Sequence, residues 1–462
     1  MKYISTRGQA PELTFEEAML TGLARDGGLY LPAEIPVMPQ DQIAGLAGLT
    51  YEEIAFKVMW PFVEGSFAED EFREIIEHAY AGFDHAARAP LKQLNENHFL
   101  LELFHGPTLA FKDFAMQLIG QLFQVALKRR GDRVTIVGAT SGDTGSAAIE
   151  AFRGLDAVDV FILFPDGRVS EVQRRQMTTP ADSNVHALAV AGDFDDCQSA
   201  LKDMFNDFDF RDSVKLAGVN SINFARVLAQ IVYYFSAAVS LGAPHRKVSF
   251  TVPTGNFGDI FAGYLAKRMG LPIDRLVVAT NQNDILHRCL TGEGYFKGDT
   301  IPSISPSMDI QVSSNFERAL FYAYGEDAGA VSQLMEELKN GGFKVSQGAM
   351  ESLRENFDSG RVSEDETLQT IQSTLAHSAE LVCPHTAVGI KVAEDHRAEN
   401  VPMITLATAH PAKFPAAVEK ASDVHPPLPS RMSDLYERPE RVTRIANNLG
   451  AIEKFIKGQI AE

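Results

Sequence analysis

The sequence predicts an α/β protein whose strands form parallel sheets, preceded by a helical N-terminal region. Two observations predict this class. Short strands alternate with helices from residue 98 onward, which is typical of βαβ units. These strands are also predominantly apolar, as strands are when helices cover both faces of a sheet.

The N-terminal region is predicted to hold helices over residues 15–24, 50–59 and 69–81. Gly27 and Gly28, together with three nearby prolines, interrupt the helical pattern. Because no strand alternates with these helices, we expect residues 1–95 to form a mainly helical domain.

The first α/β elements are a strand over residues 99–104 and a long helix that ends near residue 130. Ala115, Leu118 and Ile119 fall on one face of this helix, and Gly131 follows its basic last turn. Further strands are expected at 134–137, 158–163, 185–190, 248–252, 276–280 and 403–408. Further helices are expected at 142–152, 170–177, 194–205, 223–239 and 257–269, and residues 326–379 form a polar, helical region.

Composition limits the partners and the compartment. Lys and Arg number 42 against 61 Asp and Glu, which gives a net charge of −19. Nucleic acids and anionic membranes need a basic surface, so neither is expected as the main partner. The three cysteines are far apart, and no apolar run is long enough for a membrane span. We therefore expect a cytoplasmic protein.

Lys112 is the first candidate for chemistry. It lies between a turn and an amphipathic helix, with Phe111 and Phe114 beside it. We expect its ammonium group to be partly desolvated, which lowers the pKa of a lysine and frees the amine to attack a carbonyl. By spacing alone the sequence favours the alternative, a lysine whose stem covers a core helix and whose charge stays in water.

Two glycine-rich loops each follow a predicted strand and begin a helix. Residues 138–145 combine glycines with hydroxyl side chains, and residues 253–259 contain Gly255 and Gly258. Backbone N–H groups at such a junction bind anions, and the helix dipole favours the negative charge. Neither loop has the Walker or the dinucleotide-binding spacing. A capped turn is the alternative for each loop, but two such loops indicate two anionic groups near one crevice.

Two further segments could contact a ligand. Asn220, Ser221 and Arg226 precede an apolar helix, where the arginine could bind a phosphate or carboxylate. An N-capped surface helix is the alternative, and this segment taken by itself favours that alternative. Thr408 follows the last predicted strand, and its hydroxyl could hydrogen-bond a ring nitrogen. The scattered histidines indicate no metal site, and no motif specifies a serine triad.

Taken in order, these segments resemble those of fold-type II pyridoxal phosphate enzymes, specifically the threonine synthase family of the longer bacterial and fungal kind. The similarity rests on residues 105–113, 138–145 and 255–259, and on further stretches at 3–8, 25–30 and 306–315. It covers nearly the whole chain. The resemblance implies a tryptophan synthase β-like fold, with a large domain formed by residues 96–130 and 240–462 and a smaller domain over 131–239.

The resemblance also implies a role for each site residue. Lys112 would hold the cofactor, pyridoxal 5'-phosphate, as an internal aldimine and later move protons. The cofactor phosphate would contact Gly255, Asn256, Phe257, Gly258 and Asp259, and the pyridine nitrogen would face Thr408. The substrate carboxylate would contact Ser141, Gly142, Asp143 and Thr144. The substrate phosphate would contact Asn220, Ser221 and Arg226. Many relatives of this fold type have asparagine at position 259, and shorter ones have it at position 143.

The family's reaction converts O-phospho-L-homoserine and water into L-threonine and phosphate. Two alternatives stay open, namely another fold-type II lyase, such as a dehydratase or a phospholyase, and a ligand-binding relative without catalysis. The segment 220–226 and the long N-terminal region count against a dehydratase, and Lys112 between Phe111 and Asp113 counts against a silent relative. A monomer is expected, because the sequence contains no coiled coil or large apolar stripe; a dimer is the alternative.

Overall fold

The computed structural model describes residues 1–140 and 142–460. Its N-terminal region combines a two-stranded antiparallel sheet with four helices. The strands are β1 (Tyr3–Ser5) and β2 (Tyr30–Pro32). The helices are α1 (Phe15–Thr21), α2 (Gln40–Ala44), α3 (Tyr51–Val63) and α4 (Glu69–Tyr80). The three predicted helices are confirmed as α1, α3 and α4, whereas α2 and the strand pair are additional.

Two larger sheets and a small strand pair follow. The strands are β3 (Leu91–Asn95), β4 (His98–Glu102), β5 (Val134–Ala139), β6 (Val158–Pro165), β7 (Val185–Ala191), β8 (Leu216–Ala217), β9 (Val248–Pro253), β10 (Ile273–Thr280), β11 (Tyr295–Phe296), β12 (Gly342–Phe343), β13 (Phe357–Arg361), β14 (Met403–Ala407) and β15 (Thr443–Ala446). The helices are α5 (Lys112–Arg130), α6 (Asp143–Phe152), α7 (Glu171–Thr178), α8 (Phe194–Asn206), α9 (Phe208–Ser213), α10 (Phe224–Ser240), α11 (Gly258–Arg268), α12 (Ile285–Thr291), α13 (Phe316–Ala323), α14 (Ala328–Lys339), α15 (Gln347–Asn356), α16 (Glu364–Ser378), α17 (Pro384–His396), α18 (Pro415–Ser422) and α19 (Leu449–Gln459).

The sheets confirm the predicted parallel α/β class. The larger sheet has the order β13-β10-β9-β14-β4-β3, and only its edge strand β3 is antiparallel to its neighbour. Ile404 of β14 lies opposite Phe99 of β4 and Phe250 of β9. The smaller sheet has the order β15-β7-β6-β5-β8, with every strand parallel. Every residue of β6 is buried, as expected for a central strand with both faces covered.

Two elements lie on the other side of the predicted domain boundaries. β15 falls within the predicted large-domain segment 240–462, yet it pairs with β7 of the smaller sheet. Its four residues include Arg444 and carry no apolar strand pattern. α10 falls within the predicted segment 131–239, yet it packs against α3, α5 and α11. Nearly every residue of α10 is buried, so this helix forms part of the main core instead of covering one sheet face.

The candidate segments lie at the carboxyl ends of strands. Lys112 follows β4, residues 255–258 follow β9, Thr408 follows β14, and Asp143 follows β5 of the smaller sheet. Ligands of open α/β sheets bind at this edge. Among residues 1–140 and 142–460, no helix combines the length and the apolar character that crossing a membrane requires.

Candidate active site

Lys112 is the first residue of α5, and its side chain is 9% exposed. Its Nζ lies 3.6 Å from Asp143 Oδ2 and 3.5 Å from Ser307 Oγ. Burial lowers the pKa of this ammonium group, and the Asp143 carboxylate opposes that shift. The expected desolvation of Lys112 is therefore confirmed.

Asp113 fixes the turn that precedes the lysine. Its carboxyl group accepts hydrogen bonds from the backbone N–H of Thr108 at 2.8 Å and from the Thr108 hydroxyl at 2.6 Å. A Cβ at Gly106 would lie 2.4 Å from Asp113 Cβ, so glycine allows this close approach. Burial raises the pKa of Asp113 to about 6. The hydrogen-bonded turn therefore fixes where α5 begins and so the position of Lys112.

Asp143 connects the lysine with three other side chains. It is the first residue of α6 and is 4% exposed. Its Oδ1 lies 3.1 Å from Lys413 Nζ and accepts a hydrogen bond from Gln173 Nε2 at 2.9 Å. Its Oδ2 accepts a hydrogen bond from Ser307 Oγ at 3.1 Å and faces Lys112. Burial alone would raise the pKa of Asp143, but the ammonium groups of Lys413 and Lys112 hold it below its ordinary value.

The loop between β5 and α6 forms a tight turn beside this carboxylate. Thr140 Oγ1 accepts a hydrogen bond from the N–H of Gly142 at 2.9 Å. Gly142 has a φ of 138°, and a Cβ there would lie 2.4 Å from the Gln173 amide, so both conformation and space require glycine. Thr144 is half-buried. Ser141, also predicted to bind the substrate carboxylate, lies outside the described residues.

The loop between β9 and α11 has unused backbone donors. Among the residues that the structure describes, the N–H groups of residues 255–258 find no acceptor. Phe257 has a left-handed φ of 63°, a conformation that non-glycine residues adopt mainly where the surroundings impose it. Successive N–H groups at the start of a helix form a concave site for an anion. This geometry suits the predicted phosphate-binding role of Gly255, Asn256, Phe257 and Gly258.

Residues 306–315 pack behind the same loop. Ser313 Oγ donates to Gly255 O, and the Asn315 N–H donates to Asn256 O at 3.0 Å. A Cβ on Gly255 would lie 2.7 Å from Ser307 O. The loop carbonyl groups are thus engaged by protein donors, whereas its N–H groups remain available to a ligand.

Asp259 directs its side chain toward α10. The hydroxyl groups of Tyr233 and Tyr234 both donate to its Oδ1, and its Oδ2 has no partner among the described residues. Burial raises the pKa of this carboxyl to about 7. Because the Asp259 side chain is bound by the two tyrosines, only the backbone N–H of Asp259 suits the predicted phosphate contact.

Arg226 contributes a buried guanidinium in the first turn of α10. It is 4% exposed, and no carboxylate of the described residues compensates its charge. Its Nη1 is 3.5 Å from Val219 O, and its Nε has no partner among these residues. Burial lowers its pKa to about 10, and its charge in turn lowers the pKa of Lys112. A buried charge without a counter-charge is costly, so Arg226 is a strong candidate for binding an anion.

The remaining predicted residues lie near the same crevice. Ser221 O accepts a hydrogen bond from Asn315 Nδ2 at 3.2 Å, and the same amide donates to Asn256 O, which links this segment to the loop after β9. Asn220 is exposed one position earlier. Thr408 is 6% exposed, and its carbonyl accepts the N–H of Phe111 at 2.8 Å, directly beside the lysine.

Sequence reasoning gave no role to three groups that the structure brings to the lysine, Ser307, His385 and Lys413. The Ser307 N–H donates to His385 Nε2 at 3.2 Å, and burial lowers the pKa of this histidine to about 4. Lys413 lies five residues after Thr408 in the segment that follows β14, and Ser307 lies in the stretch 306–315. Both residues thus belong to segments that the sequence analysis had singled out, whereas His385 belongs to none of them. Within residues 1–140 and 142–460, no cluster of three His, Cys, Asp or Glu side chains could hold a metal ion.

Comparison with known proteins gives three matches along the chain. Residues 2–80 match the family described as "Threonine synthase N terminus", residues 84–334 match "Pyridoxal-phosphate dependent enzyme", and residues 386–456 match "Threonine synthase, C-terminal". The threonine synthase of Pseudomonas aeruginosa is 56% identical over 459 residues, which are 99% of this chain and 98% of that protein.

Solved structures agree with these matches. The crystal structure of pyridoxal phosphate-bound threonine synthase from Brucella melitensis has a TM-score of 0.98 at 56% identity and covers 99% of both chains. The structure of threonine synthase from yeast has a TM-score of 0.94 at 40% identity, covering 99% of this chain and 98% of the other. The expected fold-type II class is confirmed, and the chain belongs to the threonine synthase family of pyridoxal-phosphate dependent enzymes.

Proposed function

We propose that the chain converts O-phospho-L-homoserine and water into L-threonine and phosphate, with pyridoxal phosphate held at Lys112. The observation that carries this proposal is the presence of two separate anion-binding elements near one desolvated amine. One is the set of N–H groups of residues 255–258, and the other is the guanidinium of Arg226. The reaction brings together a cofactor phosphate and a substrate phosphate, so an enzyme that performs it needs two such elements.

The described residues fit pyridoxal phosphate. Among the described residues the N–H groups of residues 255–258 lack acceptors, and Gly255 lets this loop pack against Ser307 O, from which a Cβ would lie only 2.7 Å. Lys112 has a lowered pKa, which suits an amine that must react with an aldehyde. Thr408 would bind the ring nitrogen through its hydroxyl. When bound, the cofactor supplies the electron sink that lets the α and β protons of the substrate leave.

The chain itself binds, orients and moves protons. Lys112 is the amine that would take and return protons at the substrate, with Asp143 Oδ2 3.6 Å from its Nζ. Gly142, Asp143 and Thr144 belong to the turn that begins α6, where backbone donors and the helix dipole would favour the substrate carboxylate. Ser141, the preceding residue of the sequence, is proposed to contact the same group. Arg226, with Asn220 and Ser221 nearby, would bind the substrate phosphate through its guanidinium and retain the phosphate as it leaves.

Product analysis tests this proposal. Purified holoenzyme is incubated with O-phospho-L-homoserine, and phosphate and threonine are quantified for the wild type, for Lys112→Ala and for Lys391→Ala. Lys391 is a partly exposed lysine that pairs with Glu394 and serves as the control. We expect equal amounts of both products, lost in Lys112→Ala and unchanged in the control. Phosphate released with a keto acid would replace the proposal by another lyase activity. Cofactor-loaded protein that gives neither product would refute the substrate, and protein without a cofactor absorption band would indicate a silent relative.

We also propose that the protein acts as a monomer in the cytoplasm. The sequence contains no coiled coil and no large apolar stripe that would favour a dimer. The three cysteines are buried and free, which suits a reducing compartment. Sedimentation at the mass of one chain, 50.6 kDa, is the expected result; a dimer mass would refute the monomer.

A further inference from the structure

Lys413 is a fully buried lysine with two fixed oxygen partners. Its side chain is 0% exposed, and its Nζ lies 2.7 Å from Thr108 O and 3.1 Å from Asp143 Oδ1. Thr108 belongs to the turn before Lys112, whereas Asp143 begins α6 of the smaller sheet. Burying an ammonium group costs several kcal/mol unless its partners are well placed. Lys413 therefore connects the turn before Lys112 with the start of α6. Its burial is tolerated because both acceptor oxygens are held in position.

The two oxygens of Asp143 face different lysines. Oδ1 is engaged by Lys413 and Gln173, and Oδ2 is directed at Lys112 and Ser307. If the proposed function is correct, Lys112 gives up its free ammonium group when it binds the cofactor aldehyde. Lys413 is then the one of the two lysines that keeps an independent positive charge beside the carboxylate.

We propose that Lys413 is a positioning residue for the reaction, which keeps Asp143 ionised and directs its Oδ2 at the nitrogen of Lys112. This inference deepens the proposed function and rests on it in one respect, namely that Lys112 holds the cofactor. It also explains why an aspartate is tolerated at position 143, since a buried carboxylate requires a permanent counter-ion and an amide does not. The Lys413–Asp143 pair then sets how strongly the Lys112 nitrogen retains its proton.

The other charged groups around this nitrogen have defined effects. Arg226 and Lys413 disfavour a positive charge on Lys112, whereas Asp143 favours it. His385 is neutral near pH 7 because burial lowers its pKa to about 4. Asp113 faces Thr108, and its carboxyl group is occupied by that residue. Asp143 is thus the group whose charge favours protonation of the nitrogen, and Lys413 is its fixed partner.

A pH titration of the cofactor absorption band in the holoenzyme tests the inference. The four proteins are the wild type, Lys413→Met, Asp143→Asn and the double variant, with Lys391→Met as the surface control. Removing Lys413 takes away a positive charge and leaves the carboxylate to Lys112 alone, so the pKa of the cofactor-bound nitrogen should rise by about one unit or more. Asp143→Asn should lower this pKa, and the double variant should lie between the two single variants.

Kinetics separate positioning from a merely structural role. We expect Lys413→Met to lower kcat by about tenfold or more in the wild-type background and by less than about twofold in the Asp143→Asn background, because paired residues are not additive. KM should change little in both. An unchanged or lowered pKa in Lys413→Met, or equal kcat losses in both backgrounds, would overturn the inference.

The double variant guards against failure to fold, since it removes both buried charges together and leaves neither unpaired. If Lys413→Met alone does not fold, Asp143→Asn must rescue folding, and failure of that rescue would also count against the inference. The titration requires only that the cofactor binds Lys112. A wild type that makes no threonine would therefore refute the proposed function without changing the expected pKa shifts.

Discussion

Replacing Arg226 with methionine is expected to stabilise the folded protein while removing its affinity for the substrate phosphate. Within the described chain, the guanidinium has a single hydrogen bond, 3.5 Å long, to Val219 O. Burial lowers its pKa from the ordinary value of an arginine to about 10, and at about 1.4 kcal/mol for each pKa unit this is a penalty of about 3 kcal/mol. Methionine removes the charge and keeps an apolar side chain, so the free energy of unfolding should rise by about 1–3 kcal/mol.

The same substitution should weaken catalysis. A hydrogen bond to a charged group contributes about 1.5–3 kcal/mol, so kcat/KM for O-phospho-L-homoserine should fall about 10- to 150-fold for each bond lost. Cofactor affinity should change much less, because residues 255–258 and Lys112 are left intact.

Urea unfolding of both holoenzymes, with and without inorganic phosphate, measures the stability effect. In the holoenzyme the cofactor phosphate would occupy the N–H groups of residues 255–258, so added phosphate reports on Arg226. Phosphate should stabilise the wild type and leave Arg226→Met unchanged. Arg318→Met is the matched control, because Arg318 is equally buried but donates to Tyr30 O and Ile222 O. Its loss leaves acceptors unsatisfied and should cost about 2 kcal/mol or more. An Arg226→Met protein that is less stable than the wild type, and still protected by phosphate, would refute the reasoning.

Three further predictions concern single residues. Gly255→Ala places a Cβ 2.7 Å from Ser307 O and should weaken cofactor affinity at least about tenfold in an absorbance titration, with normal affinity as the contradicting result. Gly142→Ala meets Gln173 at 2.4 Å and should raise KM for the substrate more than the dissociation constant of the cofactor; equal changes would contradict the assignment. Asp259 has a pKa raised from 3.8 to about 7, so its contribution to stability is full below about pH 4 and declines as pH rises toward 7. Asp259→Asn should flatten this decline in urea unfolding at a series of pH values, and an unchanged pH profile would contradict it.

The sequence predicted those parts of the fold that carry local signals. α5 combines an apolar face with a basic last turn and a following glycine, and its predicted end at residue 130 matches the structure. β13 and β15 carry no such signal, because they are short edge strands with polar residues such as Asp358 and Arg444. Their pairing is decided by which strand lies beside them in the folded chain, and that information is not contained in a window of sequence.

The same distinction holds in the candidate site. The loops at 138–145 and 253–259 could be located from the sequence, because a turn that presents backbone N–H groups at the start of a helix needs glycines and hydroxyl residues close together in sequence. The pairing of Asp143 with Lys413 was not predictable, since the two residues are far apart in sequence and neither position is unusual by itself. The direction of the Asp259 side chain, toward two tyrosines of α10, likewise depends on tertiary packing.

The charge of the site is opposite to that of the chain. The whole sequence has a net charge of −19, yet Lys112, Lys413 and Arg226 are all buried, and the Asp143 carboxylate pairs with the two lysines. Buried charges of one sign destabilise a fold unless counter-charges reach them. Two phosphate-bearing ligands supply such counter-charges, so binding of the cofactor and of the substrate should each relieve part of this repulsion. The acidic surface disfavours large polyanions, whereas a small anion that enters the crevice meets a local excess of positive charge. The electrostatic cost of burying these three cations thus favours the binding of two anions of limited size.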